Sequence, residues 1–122
     1  MRVERIDHTA LNVSDFERSV PFYEGILGLQ RAERPEMGLA GAWYQIGESQ
    51  LHLIQSPQGV DIGTRPDKLS PIAGHLALRV DDFEGARQRF AEEGIEIFDL
   101  GPDGDQFWVR DPDGNTIEIT RR

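Results

Sequence analysis

His8-Thr-Ala-Leu-Asn-Val-Ser-Asp-Phe-Glu17 returns as His75-Leu-Ala-Leu-Arg-Val-Asp-Asp-Phe-Glu84 at an offset of 67. Seven of the ten positions are identical: the His, Ala, Leu, Val, Asp, Phe and Glu. Two further echoes keep the same order. Trp43 stands opposite Trp108 at offset 65, and Gln50-Leu-His-Leu-Ile54 stands opposite Thr116-Ile-Glu-Ile-Thr120 at offset 66. Three segments in register, with a drift that small loop deletions produce, mark an internal duplication with halves of about 55 residues.

Each half has the same grammar. Residues 3–13 alternate and are rich in β-branched and apolar side chains, so they read as a strand. Ser14-Asp-Phe-Glu17 has capping-box spacing and starts a helix that runs to about Leu27, where Gly28 stops it. Pro21 interrupts that helix and predicts a kink or a tightened turn. Strands follow near 30–34, 42–46 and 50–55. In the second half the strand is 73–80, the cap is Asp81-Asp-Phe-Glu84, the helix ends at Gly94, and strands lie near 95–100, 106–110 and 116–121. Asp111-Pro-Asp-Gly-Asn115 is a tight turn. The order is βαβββ twice: module 1 at about 1–56, a Pro/Gly-rich connection at 57–72, and module 2 at about 73–122 of a single domain.

Composition narrows the function classes. Of 122 residues, 13 are Lys or Arg and 22 are Asp or Glu, a net charge of −9. That charge repels phosphate backbones and anionic membranes, so no nucleic-acid or membrane partner is expected. Zero cysteines exclude disulfides, thiolate metal sites and cysteine nucleophiles. Met1-Arg-Val-Glu-Arg5 leads into the first strand without a signal-peptide core, which makes the cytoplasm the default compartment.

Side chains alternate across a strand with period two. Leu11 and Val13 therefore oppose His8 and Asn12; Leu76 and Leu78 oppose His75 and Arg79; Leu51 and Leu53 oppose His52; Ile117 and Ile119 oppose Glu118. One face is aliphatic and suits helix packing. The other carries all three histidines of the chain and one carboxylate. His8 is equivalent to His75 and His52 to Glu118 under the duplication, so a pseudo-twofold axis would gather four metal-competent side chains around one point. Three imidazoles and a carboxylate suit a divalent ion: Zn, Ni, Co, Fe or Mn. A lone strand histidine is usually a surface or hydrogen-bonded residue; duplication at equivalent positions is what favours ligation. Trp43, Trp108 and Arg79 are candidate substrate contacts, and Arg79 on the His75 face suits an anionic substrate.

Asp7-His-Thr-Ala-Leu-Asn-Val13, Ser19-Val-Pro-Phe-Tyr23, Leu27-Gly-Leu29, Gly74-His-Leu-Ala-Leu-Arg-Val80 and Asp111-Pro-Asp-Gly-Asn-Thr-Ile-Glu118 resemble the vicinal oxygen chelate superfamily over nearly the whole chain. That group includes glyoxalase I, methylmalonyl-CoA epimerase, fosfomycin- and bleomycin-resistance proteins and extradiol dioxygenases. The resemblance implies an α+β fold in which two βαβββ modules form curved mixed sheets around a metal-containing cleft, with helices outside. It implies metal ligation by His8, His75 and Glu118, with His52 at a fourth position that is often Glu in glyoxalase I and Gln in the epimerase. It also implies a lyase or isomerase acting on a small oxygenated substrate by stabilising an enediolate or oxyanion. Ligation would occupy the lone pair of His52, which leaves Glu118, displaced from the cation, or a loop carboxylate such as Glu36 or Asp105 as base. A metal-free drug-binding protein of the bleomycin-resistance type and an extradiol-type dioxygenase are the alternatives. Relatives of this size imply a homodimer, and the 57–72 connection, at ~3.3 Å per extended residue, can reach about 50 Å. A module-swapped dimer, with His8 and His52 from one chain and His75 and Glu118 from the other, is therefore expected.

Overall fold

Two α-helices, one π-helical turn and seven strands arise from this pattern among the described residues. The computed structural model describes residues 1–121 and divides into two compact units, Met1–Gly63 and Thr64–Arg122. The fold is α+β, with one small mixed sheet in each unit.

The first unit contains β1 (His8–Val13), α1 (Phe16–Val20), a π-helical turn (Pro21–Ile26), β2 (Gly41–Ile46) and β3 (Ser49–Gln55). The strand order is β1-β3-β2, with β1 parallel and β2 antiparallel to the central β3. The strand expected from residue 3 begins only at His8, because the β3 ladder reaches no further back than His8↔Gln50. The helix cap is Asp15 rather than Ser14: its carboxylate accepts from the amides of Glu17 and Arg18 at 3.1 and 3.4 Å. Phe16 sets that register. Its ring is buried and its otherwise orphaned N–H donates to Gln55 Oε1 at 2.9 Å.

Pro21 widens the helix instead of tightening it. A proline cannot donate and its ring crowds the preceding turn, and the chain answers with a longer-reach bond from Leu27 N–H to Phe22 O at 3.0 Å. Gly28 follows at φ 64°, the left-handed conformation that ends the helix. The strand expected at 30–34 is reduced to an isolated bridge, Arg31↔Tyr44. Ala32 N–H still donates to Trp43 O at 2.7 Å, but Pro35 brings no amide to extend a ladder.

The second unit contains β4 (His75–Arg79), α2 (Phe83–Glu92), β5 (Phe98–Asp99), β6 (Gln106–Arg110) and β7 (Thr116–Thr120), in the order β4-β7-β6-β5. Here β4 runs parallel to β7, while β6 is antiparallel to both β7 and β5. Asp82 caps α2 by accepting from Gly85 N–H at 2.9 Å. At the other end Gly94 takes φ 69°, and Ile95 N–H closes back to Phe90 O at 3.0 Å. The strand expected at 95–100 keeps only two ladder residues, Phe98 and Asp99.

Each core lies on the face the alternation assigned to it. In the first unit Val13, Tyr23, Tyr44, Leu51 and Leu53 are buried; in the second Phe90, Phe107, Val109, Ile117 and Ile119 are. Among the described residues no helix is long and apolar enough to cross a membrane.

Candidate functional site

The register repeats the duplication at the level of individual pairs. His52 on β3 faces Trp43 on β2 and Ala10 on β1. Glu118 on β7 faces Trp108 on β6 and Ala77 on β4. His8 and His75 each stand two residues before those alanines, on the same face of their strands. Each unit thus sets one histidine of its first strand beside the donor of its central strand.

In the second unit His75 Nε2 lies 2.8 Å from Glu118 Oε2, and Nδ1 lies 2.7 Å from the Ala73 carbonyl. A carbonyl only accepts, so Nδ1 carries a proton and Nε2 is aimed at the carboxylate. Both side chains are largely sheltered, at 25% and 13% exposure. Trp108 is buried, packs edge-on to His75 with ring centres 6.2 Å apart, and leaves its Nε1 without a hydrogen-bond partner.

In the first unit three rings stack across the sheet. His52 lies between Trp43 and His8, with centroids 4.2 Å away on each side and planes within 7° and 12°. His8 Nδ1 is 2.9 Å from Asp7 Oδ2. That hydrogen bond from His8 is the leading reason the Asp7 carboxyl falls below its usual range. His52 Nε2 meets Gln50 Oε1 at 2.9 Å. Burial is the main influence lowering the His52 pKa; the charges of His8 and Arg34 act in the same direction, and Asp7 opposes them.

The donor chemistry fits a divalent cation. Histidines that bind metals through Nε2 characteristically give Nδ1–H to a carboxylate or a backbone carbonyl. His8 does so with Asp7 and His75 with Ala73. His52 differs, because its Nε2 is already engaged by Gln50. Each unit supplies two of the four expected donors; among the described residues no three or more His, Asp or Glu side chains stand together as a cation site.

The other candidates are placed as follows. Trp43 lines a cleft of about 460 Å³ with His8 and His52. Arg79 is exposed on the His75 face, but four residues along the strand put it about 13 Å from that histidine. Glu36 accepts from Gly38 N–H at 2.7 Å in an exposed loop. Asp105 lies 3.7 Å from the Arg121 guanidinium, which covers the Phe83 ring. Asp105 therefore keeps company with the helix side of its sheet. Arg34, Asp7 and Gln50 border the first unit's cleft as well, and the sequence reading passed over all three. Asp7 and Gln50 had a usable signal, since each adjoins or shares a face with a named histidine.

These paired modules, with histidines and a carboxylate at equivalent strand positions, define a duplicated α+β fold class. The chain belongs to the Glyoxalase/Bleomycin resistance protein/Dioxygenase superfamily, whose family model matches residues 5–119. Among its relatives, lactoylglutathione lyase of Salmonella typhimurium is 32% identical over 124 residues, covering 94% of this chain and 90% of that protein. Lactoylglutathione lyase of Haemophilus influenzae is 34% identical over 126 residues, with the same two shares. A glyoxalase/dioxygenase from Nostoc punctiforme superimposes with a TM-score of 0.76 at 29% identity, covering 94% of this chain and 88% of that one.

Proposed function

We propose that the protein is a divalent-metal-dependent lyase or isomerase of glyoxalase type. The observation that carries this reading is the matched pair of histidines whose Nδ1 atoms are anchored by Asp7 and Ala73, with Glu118 beside one of them. The names of the lactoylglutathione lyase relatives support it. His8, His75 and Glu118 would hold the cation, with His52 as the fourth and most adjustable donor. When bound, such a cation supplies Lewis acidity toward the vicinal oxygens of a substrate and toward the charge of an enediolate.

The chain's own groups do the remaining work. Asp7 and the Ala73 carbonyl fix the two imidazoles in one tautomer. Trp43 forms an apolar wall beside His8 and His52 and keeps water from one side of the cleft. Glu118 is the carboxylate best placed to move a proton, because Glu36 is committed to its own loop and Asp105 to Arg121. The four donors would come together in a homodimer in which the first unit of one chain serves the second unit of its partner.

The test is formation of lactoylglutathione from glutathione and the corresponding α-oxoaldehyde by protein as purified, after chelator treatment, and after readdition of Zn, Ni, Co, Fe or Mn. Activity lost to the chelator and restored by one of these ions is the expected result. Activity indifferent to the chelator, or absent with every ion, contradicts the proposal.

A second reading rests on the Gln50 contact. If His52 stays with Gln50, the remaining set is two histidines and one carboxylate, the ligand set of non-haem iron oxygenases. Iron-dependent O₂ consumption with catechols would select it.

A further inference from the structure

Arg34 is a cation without a counter-charge. Along the stretch beside β2, Arg31 pairs with Tyr44 and lies over the Phe16 ring on the helix side. Period two then puts Ala32 and Arg34 on the opposite face, the one bearing Trp43. Arg34 lines the same cleft as His8, His52 and Trp43.

Its guanidinium makes one hydrogen bond, from NH2 to the Leu39 carbonyl at 2.7 Å. Its Nε is buried without a partner. Among the described residues it has no ion pair, in a chain of net charge −9 where Arg31, Arg87, Arg89, Arg110 and Arg121 all find carboxylates. Beside it two large apolar side chains, Met37 and Leu39, stand 50% and 38% exposed on the cleft. A planar fork with free donors, next to uncovered apolar surface, is complementary to an anion with an apolar body. A single guanidinium suits a planar carboxylate, whereas a phosphate dianion is usually met by several cations or a nest of backbone amides.

We propose that Arg34 anchors the carboxylate of the substrate, and that this substrate carries an apolar or aromatic group lying against Trp43, Met37 and Leu39. The inference rests on reading this cleft as the substrate side of the metal site, and it names the class of molecule admitted there.

The experiment titrates 3-phenylpropionate and its uncharged analogue 3-phenylpropanamide into the protein, as purified and after chelator treatment, following the Trp43 indole and Arg34 Nε–H signals by NMR. The acid is expected to bind at least about tenfold more tightly than the amide. Arg34→Gln should bring the two to equal affinity, with melting temperature and metal content unchanged. Arg34→Lys keeps the charge but not the fork, and should retain the preference at reduced size; it also serves as the decisive variant if Arg34→Gln does not fold. Equal binding of acid and amide by the unaltered protein, a preference that survives Arg34→Gln, or shifts confined to residues outside the cleft would overturn the inference. No acid preference in an unaltered protein that takes up metal counts against this inference alone. Acid preference intact in a protein that takes up no metal counts against the metal reading alone.

Discussion

The contact between His75 and Glu118 gives a quantitative test through a double-mutant cycle with His75→Ala, Glu118→Ala and the pair. Without metal, the 2.8 Å contact is a charge-assisted hydrogen bond between groups 25% and 13% exposed. Such bonds contribute about 1.5–3 kcal/mol when sheltered, and solvent screening here brings the expected coupling to about 1 kcal/mol. With a divalent ion present at a hundredfold excess over its Kd, the unaltered protein gains about 2.7 kcal/mol. Each variant forfeits that gain, since each removes a ligand. The coupling should therefore rise by about 2.7 kcal/mol on adding the ion. In melting temperature that is roughly 10 °C for a chain of this size. Calorimetric melts of the four proteins, with chelator and with each ion, measure it. A coupling of the same size in both conditions would refute the ligand role and leave an ordinary ion pair.

Other outcomes follow from particular contacts. His52→Ala should weaken metal uptake or change metal preference without abolishing it, because Nε2 of His52 is shared with Gln50; titration with Zn, Ni and Mn followed by calorimetry checks this. Phe90→Ala, removing a 1% exposed ring beside Phe107, should cost about 3–5 kcal/mol by urea denaturation. Tyr44→Phe should cost about 1 kcal/mol, because its phenol donates to Glu24 Oε1 at 2.9 Å. Burial, then the Glu24 bond, pushes the Tyr44 phenol above its usual pKa. The folded state therefore holds that proton longer than the unfolded chain, and stability is full below about pH 10 and falls above it. Tyr44→Phe should flatten that alkaline fall, as denaturation between pH 9 and 11 would record.

The faces of the sheets were legible because period two leaves little freedom. Once Leu51 and Leu53 go inward, His52 must go to the other side, and the structure keeps them there. The equivalence of His8 with His75 and of His52 with Glu118 followed from the duplication, whereas the two-residue offset within each pair comes from the ladder register. Boundaries were less legible, because neighbours decide them. Residues 3–6 alternate like a strand but lie beyond the ladder with β3, which starts at His8↔Gln50, while Ser14 and Asp15 are both competent caps until burial of Phe16 selects one. Pro21 announced a broken helix, but only the burial of Phe22 and Tyr23 explains why the chain widens its turn and stays helical. Arg34 escaped because its face depends on the Arg31↔Tyr44 bridge, a register between segments that periodicity does not supply.

Elemental analysis of the purified protein beside His8→Ala, His75→Ala and Glu118→Ala tests the central claim most directly. The account predicts a transition-metal or zinc ion in proportion to protein in the unaltered chain and its loss in each variant, with all four remaining folded by circular dichroism. Metal content unchanged across the variants, or no uptake by the unaltered chain when Zn, Ni, Co, Fe or Mn is supplied, would contradict it.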